Sequence, residues 1–298
     1  MKGHMNNNNE LKPLVTVFMP THNRRKLLER AVNSVFAQTF QNFELIIVDD
    51  ASTDTTYEYL QALAEKESRV TFLRNDVSQG ACVARNKAIK IAKGKFITGL
   101  DDDDEFLPHR LQLLVAGYDD KYAFVNHGYI WHYGRHTKKV GYKPKEITLE
   151  EQLSLNYATN QVFVETSRLL AIGGFDESFK ACQDYDVWTR LIIAYGTAKC
   201  LGDASYIVHQ GHERPRITAG GNHALGYKQF FEKHQHLMSE SNKINQRWFL
   251  MRALRRTPSF SEFILQIQHG FWLMKTKYYL SKLLFPLAEV RRKYFEGK

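Results

Sequence analysis

Across its first hundred residues the chain repeats one phrase: a short β-branched or aromatic run, a polar turn, then a stretch with apolar positions at helical spacing. The runs cover residues 15–19, 43–49, 70–74 and 96–100, and the helical stretches between them cover 26–38, 55–66 and 81–92. Four strands joined by three helical crossovers predict an α/β fold, with a Rossmann-like, mostly parallel sheet flanked by helices. Ser52 and Asp54 are suited to cap the second helix, and Gly94 stands where the third would end.

From about Phe124 the alternation is lost. A Tyr/His-rich stretch runs through Trp131 to Tyr142, helical spacing returns near 149–155 and 186–195, and Gly173-Gly174 marks a turn. This half is expected to form a further layer on the same sheet. With 43% hydrophobic residues the chain can bury a full core, so disorder is not the default. Its longest apolar stretches, such as 271–274 and 283–288, fall far short of the roughly 20 residues that cross a bilayer. Residues 1–12 lack an apolar signal segment and read as a cloning scar joined to a polar leader. These features lead us to expect a cytoplasmic protein. Cys82, Cys182 and Cys200 have no metal-type spacing and are expected to be reduced and structural.

Charge changes the picture at one end. Residues 243–298 hold 12 Lys/Arg against 3 Asp/Glu, which accounts for the whole net charge of +9 and leaves residues 1–242 neutral. Trp248, Phe249, Phe271, Trp272, Tyr278, Tyr279, Phe285 and Tyr294 interleave with those cations. A boundary near Asn242 is expected, followed by a basic amphipathic helical tail suited to peripheral contact with an anionic membrane. A solvated basic helix packed on its own domain is the plainer alternative. Nothing in the first 242 residues supports a nucleic-acid partner.

In open sheets of this kind ligands bind beyond the carboxyl ends of the strands. Polar residues gather at three such ends: Pro20-Thr21-His22-Asn23, Asp49-Asp50-Ala51-Ser52 and Asp101-Asp102-Asp103-Asp104. Four adjacent aspartates repel one another, and a cation among them relieves the cost. Oxygen-only ligands suit Mg2+ or Mn2+, with a diphosphate completing the shell. Strand alternation would turn Asp101 and Asp103 one way and Asp102 the other. An acidic loop capping the helix after Pro108 is the competing reading.

The succession Val-Thr-Val-Phe-Met-Pro-Thr-His-Asn (15–23), Ser-Val-Phe-Ala-Gln-Thr-Phe (34–40), Glu-Leu-Ile-Ile-Val-Asp-Asp-Ala-Ser-Thr-Asp (44–54), Ala-Arg-Asn-Lys-Ala-Ile (84–89) and Leu-Asp-Asp-Asp-Asp-Glu-Phe-Leu-Pro (100–108) resembles family 2 glycosyltransferases of the GT-A fold. The resemblance continues through Gly-Gly-Phe-Asp-Glu (173–177) and Gln-Asp-Tyr-Asp-Val-Trp-Thr-Arg-Leu (183–191). It implies a catalytic domain over 13–242, with a nucleotide-binding half (13–108) and an acceptor-binding half (109–242). It implies a UDP-sugar donor, with Asp50 holding uracil, Pro20, Thr21, His22 and Asn23 flooring the base pocket, and Arg85 reaching the nucleotide. Asp101 and Asp103 match the outer members of the Asp-x-Asp motif that holds Mn2+ or Mg2+, with Asp103 the nearer to the ion and Asp102 reaching ribose or diphosphate.

Asp184 matches the catalytic base of an inverting transfer, with Asp186 in reserve. Gln183 stands where the family usually has a second acid, which removes a like charge that would raise the pKa of Asp184. Trp188 reads as a sugar platform or as core, and His209 and His212 as phosphate or metal contacts or as plain surface residues. Processive relatives carry Gln-x-x-Arg-Trp, whereas this chain offers only Gln246-Arg247-Trp248. The implied acceptor is a saccharide, free or linked to a polyprenyl diphosphate, at the inner face of a bacterial membrane during surface-polysaccharide assembly. A sugar nucleotidyltransferase should show a Gly-rich activating loop after the first strand, which residues 20–23 do not provide. A noncatalytic carbohydrate-binding relative would have lost Asp103 or Asp184.

Overall fold

The computed structural model describes residues 12–158, 161–210 and 221–284. The opening phrase folds as expected: β1 (Val15–Thr21), α1 (Arg25–Phe36), β2 (Phe43–Asp49), α2 (Thr56–Lys66), β3 (Val70–Arg74), α3 (Ala81–Ile91) and β4 (Phe96–Gly99). After β5 (Glu105–Phe106) and α4 (Arg110–Gly117), the Tyr/His-rich stretch becomes a hairpin of β6 (Val125–His132) and β7 (Thr137–Val140). Next come β8 (Lys145–Ile147), α5 (Leu149–Ser154), β9 (Val164–Glu165), α6 (Thr166–Ala171), α7 (Gln183–Tyr195), β10 (Ala198–His209), α8 (Asn222–His234), α9 (Glu240–Ala253), α10 (Phe260–Ile267) and α11 (Trp272–Leu283).

The first sheet has the order β3-β2-β1-β4-β9, parallel except for β9. Alternation along its strands sorts the helices. Val17, Met19, Leu45 and Ile47 face Leu28 and Val32 of α1 and Leu111 of α4. Phe18, Ile46 and Val48 face Ala84 and Ala88 of α3 and Trp188 and Leu191 of α7. Each such side chain withdrawn from water contributes about 1.5–3 kcal/mol.

Several expectations need correction. The second half does not extend the first sheet; apart from β9 it builds its own, β5-β10-β6-β7, with β8 pairing on β10. The strand before the aspartates ends at Gly99, and α7 begins three residues early, at Gln183. Asp54 accepts the Thr56 N–H at 3.1 Å beside the start of α2, but Ser52 accepts the N–H of Asn23 at 2.8 Å and takes no part in capping. Gly94 is not a helix cap: α3 ends at Ile91, and a Cβ on Gly94 would lie 2.5 Å from the backbone nitrogen of Thr16. Close strand approach explains that glycine.

The expected boundary at 242 falls inside α9, which packs on α5 and α8. Trp248 is 1% exposed and Phe249 is also buried, so these two are core side chains and not an interfacial surface. Gln246 Nε2 donates to the Leu153 carbonyl at 2.6 Å and to the Tyr185 hydroxyl at 2.7 Å, a structural role. Among the described residues no helix is long and apolar enough to cross a membrane. Phe285, Tyr294 and nearly all of the leader lie outside the described residues.

Gly173 and Gly174 turn the chain after α6 with φ of 79° and 68°. A Cβ on Gly174 would lie 2.5 Å from Asn86 Oδ1, the atom that accepts the Phe175 N–H at 2.8 Å. Gly174→Ala therefore combines a left-handed backbone with the loss of that clamp. We expect a stability loss of about 2–3 kcal/mol, read from urea denaturation midpoints.

Candidate active site

The ends of β1, β2 and β4 converge, as open-sheet topology requires. Asn23 adopts a left-handed φ of 55°, which turns its Oδ1 to accept the N–H groups of Thr53 at 2.6 Å and Asp54 at 3.2 Å. His22 Nδ1 lies 2.7 Å from the Asp50 carbonyl, so the first two loops form one unit. Thr21 is buried and spends its hydroxyl on Asp102 at 2.7 Å. Pro20 is half-buried and His22 exposed at the rim.

Asp50 receives four hydrogen bonds at 2.6–2.8 Å, from Asn75 Nδ2, the Ser78 hydroxyl and the N–H groups of Gln79 and Gly80. Burial alone would raise its pKa, but these donors outweigh burial and hold the carboxyl below its ordinary value. All four lone-pair positions are taken, so a uracil N–H could bind only by sharing or displacing one of these donors. The contact visible here is the ordering of the loop into α3.

Asp101–Asp104 form a tight turn, closed by the Asp104 N–H on the Asp101 carbonyl at 3.0 Å. Alternate side chains do turn apart, though a turn rather than a strand causes it: Asp102 and Asp104 are buried, while Asp101 and Asp103 are partly exposed. The chain's own guanidinium groups meet part of the charge cost. Arg24 bridges Asp102 at 2.9 Å and Asp103 at 2.8 Å, and Arg85 bonds Asp101 at 2.9 Å. Burial still pushes the Asp102 pKa up to about 6 against the pull of Arg24. Asp104 is pushed well above its ordinary value, by burial first and by Asp103 and Asp101 next. Its Oδ1 accepts the His209 N–H at 3.0 Å. The Tyr206 hydroxyl accepts the Asp101 N–H at 3.1 Å and braces the turn from β10.

Asp184 stands in the first turn of α7, behind Cys182, whose φ is 58°. Neither Asp184 nor Asp186 is the cap residue, which disposes of the capping alternative. Asn156 Nδ2 donates to Asp184 at 3.0 Å. Burial raises the Asp184 pKa to about 6, although the Tyr185 N–H and Arg85 oppose the rise. Burial thus raises the Asp184 pKa without a neighbouring acid at position 183. Arg85 itself is buried, with its Nε and Nη1 unbonded among the described residues, and it acts on both Asp101 and Asp184. It links the two acidic groups.

Asp186, the reserve base, is fully buried, salt-bridged to Arg190 and Lys233 at 2.8 and 2.9 Å and hydrogen-bonded to His234 Nε2 at 2.9 Å, an arrangement that leaves it no access to substrate. Trp188 is core, packed against Phe124 and Phe175. His209 turns to Glu105 at 2.6 Å and to the ring of His132. His212 lies outside the described residues. Sequence reading missed Arg24 and Tyr206, because only tertiary placement brings them to the aspartates. It also missed Tyr129, Trp131 and Tyr133, which form a ring ladder with 5.8 and 6.0 Å steps along one face of β6 and the turn after it. Their every-other-residue spacing was the available signal.

Two carboxylates with oxygen donors and partial exposure fit a hard divalent ion. Asp101 Oδ2 carries no hydrogen bond among the described residues. Among those residues no three His, Cys, Asp or Glu side chains converge on a point, so an ion held here would draw its other ligands from phosphates and water.

Residues 16–175 match Glycosyl transferase family 2, and the chain belongs to that family. It is 34% identical over 271 residues to the putative colanic acid biosynthesis glycosyl transferase WcaA of Escherichia coli K12, covering 87% of this chain and 95% of that protein. It is 32% identical to the GalNAc(5)-diNAcBac-PP-undecaprenol beta-1,3-glucosyltransferase of Campylobacter jejuni, covering 72% and 68%. The fold is similar to that of S. aureus TarS 1-349 in complex with UDP-GlcNAc, with a TM-score of 0.61, 19% identity and coverage of 95% and 92%. The GT-A architecture expected from the motifs is present.

Asp50→Ala should strand several donors and lower stability by about 2–3 kcal/mol near neutral pH, measured by urea unfolding. A depressed carboxyl contributes above its unfolded pKa and loses that contribution as pH falls through its folded pKa, so the gap between variant and parent should narrow in strong acid.

Proposed function

We propose that this protein is a metal-dependent, inverting glycosyltransferase. In this reading it moves a hexose or N-acetylhexosamine from a UDP-sugar to a saccharide carried on a polyprenyl diphosphate, in bacterial surface-polysaccharide assembly. The observation that carries the reading is the approach of the Asp101–Asp104 turn and Asp184 to one another, with Arg85 acting on both. One acidic group suits the donor side and the other the acceptor side. The undecaprenol-linked substrate in the name of the Campylobacter relative and the UDP-GlcNAc bound by TarS favour the same two substrates.

In this mechanism Pro20, Thr21, His22, Asn23 and Asp50 frame the base and ribose, and Arg85 and Asp102 order the diphosphate side. Asp101 and Asp103 hold Mn2+ or Mg2+. When bound, the ion would supply positive charge to the leaving diphosphate. Asp184 takes the acceptor's hydroxyl proton as that oxygen attacks the anomeric carbon from the side opposite the diphosphate, so configuration inverts. A carboxyl with a pKa near 6 is ionised at neutral pH yet basic enough to accept a proton in the transition state.

The protein would work at the inner face of the cytoplasmic membrane. Phe260 and Trp272 are 67% and 63% exposed on α10 and α11, and exposed Arg255 and Arg256 stand between those two helices and α9. This composition suits the surface of an anionic bilayer.

Asp184→Asn is expected to cut turnover at least a thousandfold while leaving UDP binding intact in a thermal-shift titration, and unchanged turnover would remove Asp184 from the mechanism. Because the base acts when ionised, kcat/KM should fall tenfold per pH unit below about 6, and a profile flat to pH 4.5 would contradict this assignment. Mn2+ should enhance the thermal stabilisation by UDP-sugars, and Asp103→Asn should abolish that enhancement.

A further inference from the structure

An open cleft of about 400 Å3 separates β7 from the C-terminal helices. Lys138, Arg252 and Lys277 reach it from β7, α9 and α11, and among the described residues no acidic side chain lines it. Among the described residues none of these three cations has a carboxylate partner within 4.0 Å. These three exposed cations, gathered from three separate elements, make a positive patch that a multiply charged anion can bridge. The remaining wall is apolar: Trp248 lies beneath Arg252, 5.7 Å from its guanidinium to the ring centre, with Leu273 and Met274 alongside. Leu273 is half exposed, and beyond the cleft α11 continues with exposed Leu280 and Leu283. The cleft therefore suits a ligand with a multiply charged anionic group joined to an apolar chain.

Two chains of side-chain contacts run from the cleft towards Asp184. Lys138 pairs in register with Trp131, which continues the ring ladder to Tyr129, and Tyr129 lies within the electrostatic reach of Asp184. On the other side Tyr227 stacks on Phe249 at 5.6 Å, and its hydroxyl, pushed up mainly by burial, feels both Arg252 and Asp184. Aromatic faces of this kind accept the C–H face of a sugar ring, and the phenol hydroxyls can bond its oxygens.

We infer that this cleft binds the diphosphate and the proximal chain of a prenyl-diphosphate-linked saccharide, and that its sugar lies along Tyr129 and Tyr227 towards Asp184. The inference rests on the glycosyltransferase reading for its acceptor, but it is tested on binding alone. Farnesyl diphosphate is the probe, titrated calorimetrically in EDTA so that the aspartate turn cannot capture the diphosphate through an ion. Binding should be at least tenfold tighter than that of inorganic pyrophosphate. The triple variant Lys138→Gln, Arg252→Gln, Lys277→Gln should weaken it at least tenfold, with an unchanged melting curve by circular dichroism as the control for folding.

Equal affinity for pyrophosphate and farnesyl diphosphate in the parent protein would overturn the proposal without reference to any variant. So would a triple variant that keeps farnesyl diphosphate binding and loses only adsorption to phosphatidylglycerol vesicles, since the cations would then serve the bilayer. Stabilisation of the parent protein by UDP, measured separately, reports on the donor side and leaves the cleft's result standing either way.

Discussion

Crowding of negative charge at the end of β4 is the constraint to which the rest of the site answers. Four carboxyls in one turn cannot all ionise in a buried setting without compensation. The chain compensates in three ways. Arg24 pairs with Asp102 and Asp103, and Arg85 with Asp101. Tyr206 and the backbone of His209 support the turn from the second sheet. Burial raises the pKa of the two buried acids, which makes their charge easier to discharge than that of an exposed carboxylate. Any cation brought to this turn would have to compete with Arg24 for Asp103.

The same arrangement explains why the second sheet exists. β10 and β6 place Tyr206 beside Tyr129, the first ring of the ladder, and β5, the two-residue strand just after the aspartates, pairs directly with β10. A single extended sheet would put these residues too far along its edge. Folding the second half into its own layer brings it over the strand ends of the first.

The donor half was legible in the sequence because its signals are local. Strand and helix alternation in residues 15–100 needs only nearest-neighbour sterics and amphipathic spacing, and the polar strand ends follow from topology. The acceptor half was not, because β6 pairs with β10 across some seventy intervening residues and nothing local records that partner. Asp184 was found through its motif, but its acidity was not, since burial comes from tertiary packing. The basic tail misled in a specific way. Composition treats Trp248 and Trp272 alike, yet α9 turns one into the core and α11 leaves the other on the surface. Helical phase relative to α5 and α8 makes the difference, and charge counting is blind to phase.

Asp184 and Asp186 sit two residues apart and have opposite fates. Entry into α7 through Cys182 in the left-handed region costs about 1–2 kcal/mol, so the local backbone would not choose this start unaided. The buried ion cluster around Asp186 holds it in place by tying α7 to Lys233 and His234 of α8. Anchorage thereby falls to Asp186, and the carboxyl one half-turn away is spared it. Loosening α8 would therefore displace Asp184 and, by letting water in around it, bring its raised pKa back down.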